Sequence, residues 1–236
     1  MLAPARPSIR HQNALLTALR GGTPFGVEEA ATAAALLRRY ECGGFIQARR
    51  IRTGAAPLPE PWRSAVAAAH QKTLVDSLAA IGVGREVLTL LAAAGIPVVA
   101  LKGAAYLATL YTDPGERALT DVDLLIPPRD TQRAAALLAG AGFEVLETID
   151  SPDVAEHRRF EMARPGPAPC RVELHWAVGS GARMRFDQEG LWSRAQPASI
   201  QGAACRTLEP HDALLYHVGH AREHYFGPTL KWALDL

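Results

Sequence analysis

Apolar positions along the chain change rhythm near residue 95. Before it they recur every three to four residues; after it short continuous apolar runs alternate with helical stretches. The early rhythm predicts helices over 13–19 and 27–40, the second with Glu28 and Glu29 in its first turn. The stretch TGAAPLPEP at 53–61 holds three prolines and reads as a linker. Beyond it, Trp62, Val66, Ala69, Leu74 and Leu78 share one helical face and predict a helix to about residue 81. A second helix over 85–94 is expected after the Gly82-Val83-Gly84 break, ending at Gly95.

From residue 96 the pattern predicts strand 96–101, helix 103–111, strand 121–126, helix 130–140 and strand 143–149. A strand pair over 156–163 and 171–178 follows, joined by the turn-rich RPGPAPC. Then come a short helix at 187–194, a strand or hairpin over 199–208 and a helix over 211–225. Helices interleaved with strands indicate an α/β (α+β) layered fold with a mixed sheet. The expected organisation is a helical subdomain at 1–60, a core at 61–208 and a C-terminal helical segment at 209–236. The closing LKWALDL packs five apolar residues into seven and reads as a helix cut short. It predicts an exposed apolar patch around Trp232 that a second copy would cover in a homodimer.

Composition narrows the functional classes. Lysine and arginine number 25 against 24 acidic residues, for a net charge of +1, so no global field recruits long nucleic acid or an anionic membrane. Cys42, Cys170 and Cys205 are far apart and odd in number, which reads as reduced thiols rather than disulfides or a zinc site. The first ten residues lack the apolar core of a signal peptide, and no apolar run reaches membrane-spanning length. A soluble, cytoplasmic protein is expected.

The chemistry concentrates between residues 95 and 126. Asp121 and Asp123 flank Val122 at the start of an apolar strand, so both carboxylates share one face. Crowded anions repel and lose hydration unless a cation sits between them, and Mg²⁺ suits hard oxygen donors. Neutralising either one is therefore expected to relieve strain when no cation is present. Upstream, Lys102-Gly103 opens an alanine-rich helix whose first amides attract phosphate, with Gly103 allowing close approach. Arg171, Glu173 and His175 alternate with Val172, Leu174 and Trp176, placing a third carboxylate and an imidazole on one strand face. Arg117, in a Pro-Gly loop four residues before Asp121, offers a guanidinium fork suited to phosphate. Each of these residues also has a plain reading as a solvated or ion-paired side chain.

The joint occurrence of LKGAAYL, LYTDPGER, TDVDLLIPP and RVELHW resembles the uncharacterised nucleotidyltransferase family of the DNA polymerase beta-like superfamily, over about 62–236. The resemblance implies a polymerase beta-like core and Mg²⁺-dependent transfer of a nucleoside monophosphate from an NTP, with ATP favoured. The hydroxyl acceptor would be a small molecule, peptide or protein, and pyrophosphate would be released. Asp121, Asp123 and Glu173 would hold two Mg²⁺ ions, with Glu173 also assisting the nucleophile. Lys102, Gly103, Arg117 and His175 would line the nucleotide. The broader superfamily has Gly-Ser where this chain has Lys102-Gly103, so the serine contact to phosphate is absent or replaced. The rival reading is a non-catalytic member that binds nucleotide or a partner. His217, His220 and His224 share a helical face, but without a HExxH motif they read as structural or pocket-lining residues.

Overall fold

The computed structural model describes residues 7–150, 158–164, 170–179, 184–223, 225, 227 and 229–236. Two compact units make up the chain. The first comprises Met1–Val75, Thr112–Ala118 and Pro228–Leu234; the second comprises Asp76–Tyr111, Leu119–Gly227 and Asp235–Leu236. The first therefore runs past the proline-rich linker and takes in two later segments.

The first unit is helical. Helix α1 (Ile9–Leu19) starts at Ser8, whose Oγ accepts the His11 amide, and is followed by α2 (Ala30–Tyr40) and α3 (Gly43–Thr53). Leu15, Leu36, Leu37, Ile46, Trp62 and Val66 form its core. Helix α3 was not foreseen, because two glycines open it and glycine disfavours helix. Close packing accounts for one of them: a Cβ on Gly44 would lie 1.9 Å from the Gly115 carbonyl oxygen. Near the C-terminus, Leu230 and Leu234 pack against this same core, and the Leu230 amide donates to the Tyr40 carbonyl at 2.9 Å. Trp232 is half-buried, where the sequence reading expected an exposed patch.

The two helices expected over 62–81 and 85–94 are one, α4 (Trp62–Ala93), 32 residues long. Two glycines in mid-helix cost about 1 kcal/mol each relative to alanine. At Gly84 the cost has a structural return, since a Cβ there would lie 3.4 Å from a Val122 methyl. The missing side chain lets α4 lie close against the sheet of the second unit.

That sheet has seven strands: β1 (Val99–Ala100), β2 (Asp121–Leu125), β3 (Glu144–Asp150), β4 (Arg158–Arg164), β5 (Cys170–His175), β6 (Gln196–Ile200) and β7 (Ala203–Thr207). Their order is β3-β4-β5-β2-β1-β7-β6, with β2/β5 and β1/β7 parallel and the remaining pairs antiparallel. The fold is thus α/β with a mixed sheet. The strand expected over 96–101 is only two residues long, and the 199–208 region is a hairpin. Helices α5 (Lys102–Thr109), α6 (Thr131–Gly140), α7 (Gln188–Arg194) and α8 (Pro210–Glu223) complete the unit, and α9 (Lys231–Leu234) belongs to the first.

Alternation along the strands divides the sheet's two faces. Val122, Leu124, Val172, Leu174, Phe160 and Met162 join α4 and α6 residues in one core. Val99, Leu101 and Leu125 join Leu191, Leu208 and Tyr216 in another. Burying each large apolar side chain contributes about 1.5–3 kcal/mol. Asp123, Glu173 and Glu161 alternate with the first set and share the sheet face of Leu125. Among the described residues no helix is long and apolar enough to cross a membrane.

Candidate active site

Parallel pairing of β2 with β5 sets Asp121 opposite Arg171, Asp123 opposite Glu173 and Leu125 opposite His175. Antiparallel pairing of β4 with β5 sets Glu161 opposite Glu173. Asp123, Glu173 and Glu161 therefore form a lateral row of carboxylates across three adjacent strands, all of them buried. The Arg171 guanidinium lies 2.9 Å from Glu161. Glu161 was not picked out from the sequence; its alternation with Phe160 and Met162 was the available signal.

Strand β2 is held in place from α4. Ser77, fully buried, accepts the Leu119 amide at 3.1 Å, and Val122 fills the space above Gly84. Lys102 is the second residue after β1, and the Leu101 amide between them donates to the Asp123 carbonyl at 2.9 Å. That bond brings the first turn of α5 alongside Asp123. Lys102 has a left-handed backbone, φ 45°, which side-chain-bearing residues adopt at a cost of about 1–2 kcal/mol. The special conformation at the Lys-Gly turn thus belongs to Lys102.

The Lys102 ammonium lies 2.7 Å from Asp123 Oδ1. His175 Nε2 lies 2.9 Å from the same oxygen and 3.2 Å from Glu173 Oε2. One ligand atom each from Asp123, Glu173 and His175 lies within 4.8 Å of the others, and this is the one such group among the described residues. Burial pushes the Asp123 carboxyl up, but the Lys102 charge and the His175 hydrogen bond outweigh it and hold the group below the ordinary carboxylate range. Burial pulls Lys102 down, and the charges of Asp123 and Glu173, with the hydrogen bond to Asp123, lift it above its ordinary value. Both therefore carry their charges at neutral pH.

Of the sequence-predicted residues, the structure gathers Lys102, Asp123, Glu173 and His175. Asp121 lies two residues along β2, partly exposed and outside the three-donor group, with the Thr120 hydroxyl donating to it at 3.3 Å. Gly103 is buried in the first turn of α5. Arg117 belongs to the first unit; it is buried, and its guanidinium donates to the Ala118 carbonyl at 3.1 Å. His217 packs edge-on to Tyr106, His220 stacks on Tyr216, and His224 lies outside the described residues.

Comparison with known families decides what this arrangement belongs to. A family described as uncharacterised nucleotidyltransferase matches residues 29–236. The chain belongs to this family. The match takes in every residue of the gathered site. No curated protein shows a significant match. Among solved structures, ANT(2")-Ia in complex with adenylyl-2"-tobramycin is 17% identical, with 61% of this chain and 76% of that one covered, at a TM-score of 0.44. A solution structure of the antibiotic-resistance factor ANT(2'')-Ia is 17% identical over 62% and 74%, at 0.45. An antigenic nucleotidyltransferase-like protein from Paracoccidioides brasiliensis is 20% identical over 66% and 71%, at 0.43.

Proposed function

We propose that this member of the family transfers a nucleoside monophosphate from an NTP to a hydroxyl acceptor and releases pyrophosphate. The supporting observation is the convergence of Asp123, Glu173 and His175 from two adjacent strands to within 4.8 Å. Two carboxylates and one imidazole fit a divalent ion, Mn²⁺ as well as the Mg²⁺ expected from oxygen donors alone. Asp123, Glu173 and His175 would hold it. When bound, such an ion neutralises charge on the phosphoryl oxygens.

The acceptor oxygen forms a bond to the α-phosphorus as the bond from that phosphorus to the pyrophosphate oxygen breaks. The hydroxyl proton passes to Glu173, and pyrophosphate leaves with the electron pair of the broken bond. Before the ion binds, His175 Nε2 holds Asp123 and Glu173 in one orientation. Lys102 supplies the site's fixed positive charge toward the triphosphate, and Asp121 stands at the edge of the group. Arg117 is proposed as a further phosphate ligand on the chemistry of its guanidinium alone.

A second reading has an observation of its own. Because the Lys102 ammonium already neutralises Asp123, the fold is also compatible with nucleotide or partner binding without turnover. Incubation of the full chain with each of the four NTPs and Mg²⁺ or Mn²⁺ separates the two. Metal-dependent pyrophosphate release that disappears in Glu173→Gln is expected; its absence with all four NTPs and both metals would leave the binding reading standing.

A further inference from the structure

Beside Lys102, within the second unit, lies a cavity of about 450 Å³. That is the size range of sites that enclose small organic ligands. Its walls come from the end of β1, from α5, from the end of β7 and from the start of α8, and they are mainly apolar, Ala105, Leu208 and Ala213 among them. Tyr106 and His217 form one firm wall, both buried, with ring centroids 5.5 Å apart.

The charges on this lining select against a polyphosphate. Lys102 is the one lysine or arginine among the described residues of the lining, and its ammonium is engaged with Asp123 at 2.7 Å. The acidic side chain among the described lining residues is Asp235, buried and oriented by the Tyr111 hydroxyl, which donates to it at 2.7 Å. A triphosphate moved here would exchange its water for aliphatic walls and a carboxylate. An ammonium would meet a fixed carboxylate in low-dielectric surroundings, where a charge-assisted hydrogen bond is strongest.

We propose that this cavity binds a small amino alcohol with an aromatic or aliphatic body, its amine on Asp235 and its hydroxyl on the Lys102 side. Taken with the nucleotidyl transfer argued above, on which this role rests, the ligand is the acceptor. The cavity then selects the substrate by one apolar body, one cation and one hydroxyl, and the NTP binds outside it.

The test uses the full chain and two probes of one shape, 2-amino-1-phenylethanol and phenylethane-1,2-diol, with binding followed by ligand-observed NMR. The amine is expected to bind about tenfold tighter than the diol, the scale of one charge-assisted contact. Asp235→Asn should erase that preference. Leu214→Trp should abolish binding of both; Leu214 lines the cavity but is 49% exposed, so the larger ring fills the space without entering the core. Circular dichroism checks that both variants fold. Equal binding of the two probes, no binding of either below about 10 mM, or displacement of the amine by ATP would each overturn the assignment. Pyrophosphate release is scored separately: amine binding without it leaves the cavity's ligand class standing and removes the acceptor role, whereas release without amine binding keeps the reaction and rejects this cavity.

Discussion

Lys102 Nζ and Asp123 Oδ1 form a direct ion pair at 2.7 Å between residues 21 positions apart in the chain. Asp123 is 2% exposed and the Lys102 side chain 18%, so most of the pair is screened from water. It reverses the sign of one expectation. Two crowded carboxylates alone would relax when one is neutralised, but here neutralising Asp123 strands an ammonium.

Asp123→Asn is therefore expected to destabilise the protein by about 3 kcal/mol, the low end for breaking a buried pair, because Lys102 keeps some solvent. Pyrophosphate release should be lost as well. Urea unfolding checks the first effect, and unchanged or raised stability would show that Lys102 finds another counter-charge.

Lys102→Met removes the ammonium from beside Asp123 and Glu173. The variant should be less stable than the parent without metal, yet gain more in Tm from added Mn²⁺, since binding to the folded state alone stabilises it. Thermal unfolding with and without millimolar Mn²⁺ measures both. An equal or smaller metal-induced gain in the variant would mean that lysine and cation do not compete for the carboxylates.

The pH dependence follows from the two opposite shifts. Asp123 is held down, so its contribution is complete above the unfolded value near 4 and is lost as pH falls through the lower folded value. Lys102 is held up, so its contribution is complete below about 10.4 and is lost as pH rises through the higher folded value. The stability difference between the parent and Lys102→Met/Asp123→Asn should be flat from about pH 5 to 9 and shrink below about pH 4. Chemical denaturation at six pH values is sufficient, and a steep change near neutrality would contradict the charge states assigned to the pair.

Gly44→Ala tests the helical unit. The added methyl would meet the Gly115 carbonyl oxygen at 1.9 Å, a backbone atom with no rotamer to change. A loss of about 1–3 kcal/mol is expected from overpacking. A neutral result in urea unfolding would mean that the Gly115 loop yields easily.

How far this was readable from sequence varied with the range of the interaction. The alternation of Asp121-Val122-Asp123 and of Arg171, Glu173 and His175 is local, and both strands and their polar faces were legible from it. Their mutual register was not, because nothing local fixes which residue of β5 meets Asp123. Lys102 was legible as a cation at a helix start, but its partner depends on the β1/β2 pairing. Gly82 and Gly84 suggested a helix break, and only the Val122 contact explains why α4 continues. Arg117 gave no sign of burial, since an arginine in a Pro-Gly loop is ordinarily solvated.

Strand β1 is two residues long, yet among the described residues it is the one strand that joins the β3-β4-β5-β2 block to the β7-β6 hairpin. Two residue pairs on each side hold the sheet in one piece, reinforced by the Arg206 amide donating to the Val98 carbonyl at 3.0 Å. Amide protons along this seam should exchange with solvent sooner than those of the long β4/β5 ladder, because fewer bonds must open at once. Lys102 is the second residue beyond that seam. Each opening of the seam would draw the ammonium away from its carboxylate, so the sheet's weakest line also acts as an electrostatic latch on the site.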